Sequence, residues 1–354
     1  MATTTAQTPG LMIRTLCEAD APRWEQYVNA NAEGTFFHTL IWRDAVTQTW
    51  GHATRFLIAE RDGRIEGVLP LYLVRSFLAG ALLVSVPYGV YGGVIADSEE
   101  AARALFDAAM EYGRSEQVKM LDLRSVRAAV PGVPVIDRYV TFRRDLPDQP
   151  EDVLEWLPRK TRAAARKGRE KFGLTVSFED ANLRTVWDLY CRSMRRLGSL
   201  NYPYSFFESL VARTPGRHTV SLVSHQGRPA AGLVTFYHGD TAMPYFSGCD
   251  ASLDRYCTNN FLYLTIMEEA VRRGCRVFDF GRSRKDNVGA ANFKRFHGFE
   301  PRDLEYQQVP VCGDRLPDLT PSNAKFRAAR RMWQWLPLWA TRRLGAWLSG
   351  AIPG

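Results

Sequence analysis

Metal-binding and disulfide motifs are missing from this sequence of 354 residues. Its cysteines are few and scattered: Cys17, Cys191, Cys249, Cys257, Cys275 and Cys312. No CxxC motif and no cysteine–histidine pair has metal-ligand spacing, so the sequence predicts neither a metal site nor a disulfide framework. The sequence also lacks a G-x-S-x-G motif and a histidine in a triad-like context, which leaves a covalent serine or cysteine mechanism without support.

Targeting and membrane-spanning signals are also scarce. The N-terminus "MATTTAQTPGLMIRT" has no basic stretch followed by an apolar one, which argues against secretion and predicts a cytoplasmic protein. Residues 77–96 carry no charge over a length that could span a bilayer. Because their second half contains Pro87, three glycines and two tyrosines, we expect two buried strands joined through "PYGVYGG" instead of a spanning helix.

The sequence does contain enough apolar and aromatic residues, 45% and 12%, to build cores, and its length suits two domains. Its net charge of +8 is concentrated in two places. Residues 159–171 hold seven Lys/Arg and one Glu, and the chain after Asp318 holds six Lys/Arg and no acid. The rest of the chain is therefore slightly acidic, and the local basicity suggests a site for an anionic molecule.

Two halves of the sequence repeat one order of elements: strand, Gly-Arg turn, strand, strand, helix, strand. Gly63 and Gly227 lie at the same hairpin of the two copies, and "LDLRS" and "FDFGRS" end them, with Asp122 and Asp279 in equivalent places. An antiparallel meander followed by a crossover helix and a strand is the order of the N-acetyltransferase (GNAT) fold. We therefore predict an α/β (α+β) protein with two tandem GNAT-like domains.

The predicted boundaries follow from this repeat. Residues 1–150 form the first repeat, 151–172 a basic linking helix ended by Gly173, 173–310 the second repeat with the active site, and 311–354 basic, Trp-rich helices. In the linking helix, a face of arginines is spaced three or four residues apart: Arg159, Arg162, Arg166 and Arg169.

A duplicated GNAT-like fold with a basic linking helix resembles the Fem family of aminoacyl-tRNA-dependent peptidyltransferases. The matching phrases cover most of residues 155–305: "PRKTRAAARKGREKFGL", "YCRSMRRLGSLNYPYSFFESL", "NNFLYLTIMEEAVRRGCRVFDFGRS" and "NFKRFHGFEP". The arrangement of "FDFGRS" and "NFKRFHGFEP" looks especially like the FemAB-related proteins of exosortase/PEP-CTERM exopolysaccharide systems. The resemblance implies transfer of an amino acid from charged tRNA to an amine on a precursor that carries a diphosphate.

The resemblance also implies roles for individual residues. The family lysine thought to stabilise the oxyanion corresponds to Lys294 in the pair Phe293-Lys294, and the acceptor-phosphate arginine to Arg195 or Arg196. The first half has no such Phe-Lys helix. We therefore expect "LDLRS" and "FDFGRS", which the two halves share, to build the fold, and "NFKRFHGFEP", which only the second half has, to carry the chemistry. We expect Phe293 and Phe296 to face inward and Lys294 to line a cleft; the alternative is a solvated lysine.

Further candidates come from the residues themselves. Asp279 is a candidate general base, although its repetition as Asp122 favours a structural turn or cap. Arg162, Arg166 and Lys167 could clamp a diphosphate or a tRNA backbone, or form a solvated helix face. We expect the first two to converge with Arg195 or Arg196 on one pocket. The remaining substrate-binding candidates are Tyr245, which could equally be core, Asn260 at a helix N-terminus, and Arg282 in "FDFGRS".

The acyl donor must arrive already activated, because the sequence has no Walker motif. GNAT enzymes bind coenzyme A with a Q/RxxGxG/A loop, whereas this chain has "RYCTNN" and "ADSEEA" at the two equivalent places. We therefore predict an amide-forming acyltransferase that uses aminoacyl-tRNA, with no tightly bound cofactor and a phosphate-bearing acceptor. The alternatives are an acyl-CoA N-acyltransferase and a non-catalytic anion-binding protein of polysaccharide assembly.

The C-terminal segment 323–354 interleaves four of the nine tryptophans with cations. This composition suits a helix pair, broken at Pro337, that lies on an anionic membrane surface and serves a lipid-linked acceptor. The alternative is that the segment packs its aromatic face on the first repeat.

Overall fold

The chain is described here by a computed structural model, which covers residues 10–317 and 324–352. Its α-helices, in chain order, are α1 (Ala21–Ala30), α2 (Leu40–Trp50), α3 (Glu99–Ser115), α4 (Val153–Trp156), α5 (Arg159–Arg166), α6 (Leu183–Leu197), α7 (Tyr204–Arg213), α8 (Thr258–Arg272), α9 (Val288–Phe296), α10 (Ala324–Trp335) and α11 (Leu338–Ser349).

The strands of the first half are β1 (Met12–Thr15), β2 (Ala53–Thr54), β3 (Leu57–Arg61), β4 (Arg64–Leu69), β5 (Tyr72–Ser76), β6 (Gly80–Ser85), β7 (Ile95–Ala96), β8 (Met120–Leu123) and β9 (Tyr139–Asp145). Those of the second half are β10 (Thr175–Ser177), β11 (His218–His225), β12 (Arg228–His238), β13 (Thr241–Cys249), β14 (Val277–Asp279), β15 (Ser283–Arg284), β16 (Pro301–Asp303) and β17 (Gln307–Pro310).

The two predicted hairpins have the same backbone geometry. Asp62 and Gly63 join β3 to β4 with φ of 52° and 74°, and Gln226 and Gly227 join β11 to β12 with φ of 51° and 76°. Two consecutive residues with positive φ are typical of a type I′ turn, whose twist matches that of the two strands it joins in a hairpin. The predicted equivalence of Gly63 and Gly227 is confirmed at the level of the turn.

The strand-crossover units are also equivalent. β6 and β8 are parallel neighbours joined through α3, whose N-cap Ser98 accepts a hydrogen bond from Ala101 N at 3.2 Å. β13 and β14 are parallel neighbours joined through α8. Asp122 and Asp279 each lie near the end of the last strand of their unit.

The two halves exchange strands. β9, from the first half, pairs antiparallel with β14, β15 and β16 in an eight-stranded sheet of the second half. β17, the last strand of the second half, pairs with β8 and completes a five-stranded sheet of the first half. Each half therefore completes a sheet of the other. The boundaries of the repeats and the linking helix at residues 150, 172 and 310 stay a prediction.

An aromatic core also joins the halves. Trp42 of α2 contacts Phe206 of α7 edge to face at 5.4 Å, and Phe36 stacks on Phe236 of β12 at 4.9 Å. α6 lies close against β13 because Gly248 has no side chain: a Cβ there would come within 2.3 Å of the Leu189 backbone. This contact places α6 beside the site described next.

Proline interrupts both the linking helix and the C-terminal segment. The helix predicted over 151–172 is broken between α4 and α5, because the extended backbone of Pro158 (ψ 145°) cannot continue a helix. It then closes in a π-helical turn, Lys167–Lys171, before Gly173 with φ 60°. The predicted break at Pro337 is confirmed between α10 and α11.

Residues 77–96 contain β6 and β7 and the buried "PYGVYGG" loop between them, as predicted. Among the helices of residues 10–317 and 324–352, none has both the length and the apolarity needed to cross a bilayer.

Candidate active site

A cavity opens where β13 and β14 separate. The two strands pair at only two positions, Thr241 with Val277 and Ala242 with Phe278, whereas β6 and β8 pair at four. The cavity has a volume of about 280 Å³. Its lining consists of Phe37, Tyr88, Val90, Tyr91, Tyr190, Met194, Tyr202, Met243, Pro244, Tyr245, Phe246, Asp279, Phe280, Gly281 and Arg282. The second repeat thus holds a site between its parallel strands.

The "PYGVYGG" loop of the first half forms one wall of this cavity, and hydrogen bonds fix its backbone. Tyr245 donates to the Tyr88 carbonyl, and Tyr306 donates to the Val90 carbonyl. The Arg124 guanidinium donates to the carbonyls of Val86 and Gly89, 3.1 Å each. A wall held at this many carbonyls is preorganised for binding.

Asp279 lines the cavity and is buried. Its carboxylate accepts hydrogen bonds from the Tyr91 hydroxyl, 2.9 Å from each oxygen, and from Gly281 N at 2.7 Å. The Arg143 Nε atom lies 3.5 Å from the carboxylate. Burial raises the pKa of Asp279, although Arg143 and the hydrogen-bond donors act in the opposite direction. A carboxylate with a raised pKa is a better proton acceptor than an exposed one.

A second cavity of about 410 Å³ reaches the same carboxylate. It lies between the segment 29–36 and the turn 238–241, with Arg127 and Arg143 on its wall. It shares Tyr91, Met243 and Asp279 with the first cavity. The buried Tyr91–Asp279 pair therefore lies between the two cavities and forms part of the wall of each.

The two copies of the repeated phrase differ at their arginines. In the first half Arg124 turns back to the Asp122 carboxylate, with Nε 3.0 Å from Oδ2. In the second half the additional Gly281, with φ 65°, turns the chain, and Arg282 lies over the Tyr139 ring at 4.7 Å. Arg282 thereby lines the cavity, and its role in substrate binding stays a prediction.

Lys294 lies behind this wall and does not line the cavity, in contrast to the prediction. Its Nζ atom donates to the carbonyls of Gly281 at 2.7 Å and Arg282 at 3.1 Å, and lies 5.0 Å from the Phe142 ring centroid. Burial lowers the pKa of Lys294 to about 7, the nearby Asp279 raises it and Arg282 lowers it further. The lysine therefore contacts the cavity through the backbone of residues 281–282.

The orientation of α9 also differs from the prediction that both phenylalanines face inward. Phe296 is exposed, while Lys294 and Ala291 are the buried positions. Phe293 is partly buried and packs on Tyr263 at 5.1 Å. Helical phase explains the outcome, since residues 291 and 294 lie on one face and 296 does not.

The predicted basic residues do not converge on one pocket. Arg162 and Arg166 both pair with the Glu155 carboxylate at the surface, and Lys167 begins the π-helical turn. Arg195 and Arg196 lie instead against the C-terminal helices, where Arg195 Nε donates to the Leu336 carbonyl at 2.6 Å. They line a separate shallow pocket with Arg192, Cys249, Asp250, Ala251, Gln334 and Trp335.

The other two candidates are separated as well. Tyr245 lines the cavity, and burial raises its pKa well above the ordinary value, so that its hydroxyl keeps its proton. Asn260 lies in the first turn of α8, outside that cavity. The first turn of α8 packs closely against the π-helical turn because Gly168 has no side chain. A Cβ atom at Gly168 would lie only 2.9 Å from the Cβ atom of Phe261.

Most of the cavity lining was not predicted from the sequence, above all Tyr88, Val90 and Tyr91 of the first half and Tyr190 and Tyr202 of the second. A signal existed for the loop, because two tyrosines and three glycines in an uncharged, buried segment are unusual for a connection. In the part of the chain that the structure describes, no cluster of His, Cys, Asp and Glu could hold a metal ion.

Comparisons agree with this architecture. Residues 155–295 match the family of the acetyltransferase (GNAT) domain. The fold is similar to that of FemX, with a TM-score of 0.67 and 15% identity over 85% of this chain and 98% of FemX. It is also similar to a tandem GNAT protein from the clavulanic acid biosynthesis pathway, with a TM-score of 0.57 and 16% identity over 86% of this chain and all of that one.

A third similar structure is the C-terminal domain of a putative lysylphosphatidylglycerol synthetase from Agrobacterium fabrum, with a TM-score of 0.56 and 12% identity over 95% of this chain and 99% of that domain. No curated protein matches the sequence significantly. The predicted tandem GNAT fold is confirmed, and with its acetyltransferase domain the chain is an acyltransferase.

Proposed function

From this tandem GNAT fold with its acyltransferase domain, we propose that the chain forms amide bonds by moving an aminoacyl group from charged tRNA to an amine on a phosphate-bearing precursor. The observation that carries the proposal is the cavity between β13 and β14, whose wall shares Tyr91 and Asp279 with a second cavity. The likeness to FemX supports the peptidyltransferase type of reaction. The acceptor we propose is a lipid-linked precursor of the cell envelope or of an exosortase-associated exopolysaccharide, reached at the inner face of the membrane.

The chemistry requires two substrates to meet in one orientation. The amine nitrogen attacks the ester carbonyl carbon, the C–N bond forms, and the bond to the ribose oxygen breaks. The amine loses a proton, and the ribose oxygen gains one as it leaves. We assign the first proton to Asp279, which lines both cavities and whose pKa is raised by burial. Holding the two reactants together supplies most of the acceleration.

Lys294 supports this reaction from behind the wall. Its hydrogen bonds to the carbonyls of Gly281 and Arg282 fix the backbone that follows β14. We assign the predicted electrostatic role to its protonated form, which would act on the developing oxyanion through this backbone and not by direct contact. In this arrangement Lys294 positions the loop, and the Arg282 side chain is the group that faces the substrate.

An acyl-CoA donor is the second candidate, and one observation favours it. The N-terminus of α8 carries backbone N–H groups beside the basic π-helical turn with Lys167, Arg169 and Lys171, and such a helix end attracts a pyrophosphate. Against it, the preceding sequence "RYCTNN" has no glycine that would let the backbone wrap a phosphate.

The experiment offers the purified protein two labelled donors, bacterial tRNA charged with labelled amino acids and labelled acetyl-CoA, together with a bacterial lipid extract as acceptor. Ribonuclease-sensitive transfer of amino acid into the lipid fraction supports the proposal. Transfer from acetyl-CoA that ribonuclease does not affect would establish the second candidate. The Asp279→Asn variant serves as the control for enzyme-dependent transfer.

A further inference from the structure

The C-terminal helix α11 is packed with its small residues inward. The residues buried against the body are Ala340, Thr341, Gly345 and Ser349. Trp339 and Trp347 point outward and are 67% and 69% exposed, with the exposed Arg343 between them on the same face. A terminal helix that served only the core would bury its indole rings, because they are its largest apolar groups.

The neighbouring helix α10 shows the same arrangement. Trp333 is buried, whereas Trp335 is 87% exposed and Met332 is exposed as well. Arg331 lies on this outer side of the helix, one turn from Trp335. Each helix therefore presents tryptophan together with an arginine to the outside.

A hairpin that is distant in the sequence adds further exposed apolar residues beside α11. Phe77 and Leu78, in the turn between β5 and β6, are 62% and 52% exposed. The Phe77 ring stacks on Trp347 with a centroid distance of 5.7 Å. We use the name tryptophan face for these exposed residues of α10, α11 and the hairpin, which are Phe77, Leu78, Arg331, Met332, Trp335, Trp339, Arg343 and Trp347.

The tryptophan face is held firmly on the body. Trp50 Nε1 donates to Ser349 Oγ at 3.2 Å, and Asn201 Nδ2 donates to the Arg342 carbonyl at 3.3 Å. Arg342 also pairs with Asp188 of α6 at 2.7 Å. Exposure of the rings is thus part of a packed arrangement and not a consequence of loose helices.

We propose that the tryptophan face docks the protein onto an anionic lipid bilayer. Indole rings have an apolar body and an N–H group, which suits the boundary between headgroups and acyl chains. Within residues 10–317 and 324–352, Arg331 and Arg343 form no ion pair, so their charges are available to lipid phosphates. A second copy of the chain is a poorer occupant, because a twofold contact would bring like charges of the same patch together.

This inference rests on the proposed function only for the nature of the acceptor, since a lipid-linked acceptor explains why a transferase would lie on a bilayer. Binding to lipid is measurable without acyl transfer, so either idea can fail while the other stands. Contact of this kind is peripheral, with helices that lie along the surface.

The test is co-sedimentation of the full-length protein with vesicles of phosphatidylcholine that contain about one third phosphatidylglycerol. The wild type should sediment with these vesicles, bind less in high salt, and stay in solution with pure phosphatidylcholine. Arg331→Gln with Arg343→Gln should weaken binding about 25-fold, since each charge contributes about fivefold. Trp339→Ala with Trp347→Ala should weaken it by about tenfold or more, because less apolar area enters the bilayer.

Matched controls are Arg302→Gln, an exposed cation in β16, and Met12→Ala, an exposed apolar residue in β1. Both should bind like the wild type, and thermal unfolding should show that all variants are folded. Equal binding by the wild type and both double variants would overturn the proposal. So would a wild type that stays in solution, or that forms a dimer in light scattering which the tryptophan variant abolishes.

Discussion

The hydroxyl of Tyr91 lies 2.9 Å from both carboxylate oxygens of Asp279. Tyr91 belongs to the "PYGVYGG" loop of the first half, and Asp279 ends the last parallel strand of the second. The pair lines both cavities, so the site depends on the contact between the halves.

Replacement of this carboxylate tests its role. We expect Asp279→Asn to lower turnover by roughly 10²–10⁴-fold, the range for loss of a general base, with a normal thermal unfolding midpoint. The matched control is Asp122→Asn, at the equivalent place of the first half, which should leave turnover within a few-fold. A comparable loss of folding stability in both variants, with little specific loss of turnover, would identify Asp279 as a structural residue only.

Lys294 should matter for turnover although it does not line the cavity. Lys294→Ala removes the donor to the carbonyls of Gly281 and Arg282, and we expect turnover to fall by on the order of 100-fold. Arg295→Ala changes the next residue, which is exposed, and should have no such effect. Steady-state kinetics of both variants provide the measurement, and activity of Lys294→Ala within a few-fold of wild type would contradict the proposed role.

The same lysine should leave a signature in the pH dependence of stability. Its pKa is about 7 in the folded state and 10.5 as the ordinary value, so the unfolded chain binds more protons between these limits. Stability relative to Lys294→Met should therefore rise with pH from 7 to 10.5, by up to about 1.4 kcal/mol per pH unit. Urea denaturation at several pH values checks this, with Lys160→Met as an exposed control; a constant difference across the range would refute it.

The arginines of α5 allow a test of nucleic-acid binding. Arg162 and Arg166 share Glu155, so each is partly neutralised. Arg162→Gln with Arg166→Gln should weaken binding of charged tRNA and reduce its salt dependence, by about one unit of slope for each phosphate that is no longer neutralised. Glu155→Gln should act in the opposite direction and strengthen binding. An unchanged salt slope in the double variant would assign these arginines to a solvated surface.

The strand exchange predicts how fragments behave. Residues 1–150 alone lack β17 as the partner of β8, and they expose β9 without β14. We expect this fragment to aggregate when expressed alone, because unpaired strand edges associate. Co-expression with residues 151–354 should recover a folded complex, which gel filtration would detect. A monomeric, cooperatively unfolding 1–150 fragment would show that the first half needs no exchanged strand.

Local features were predictable because they depend on neighbouring residues. The turns at Gly63 and Gly227, the N-cap Ser98 and the break at Pro337 each follow from the backbone preferences of one or two residues. The repeat itself was visible because the same order of such signals occurs twice. For the same reason the buried strand β6 could be told from a membrane helix by the proline and glycines that follow it.

The sequence by itself determined the duplicated fold, its hairpins and the half that carries "NFKRFHGFEP". Only the tertiary structure decided that β9 and β17 are exchanged, that Tyr91 meets Asp279, and that the cationic arginines are divided between two surfaces. It also decided which face of α11 is buried, since small residues allow close approach to α6 while the tryptophans remain outside. These outcomes depend on contacts between residues far apart in the chain, and such contacts leave no periodic pattern in the sequence.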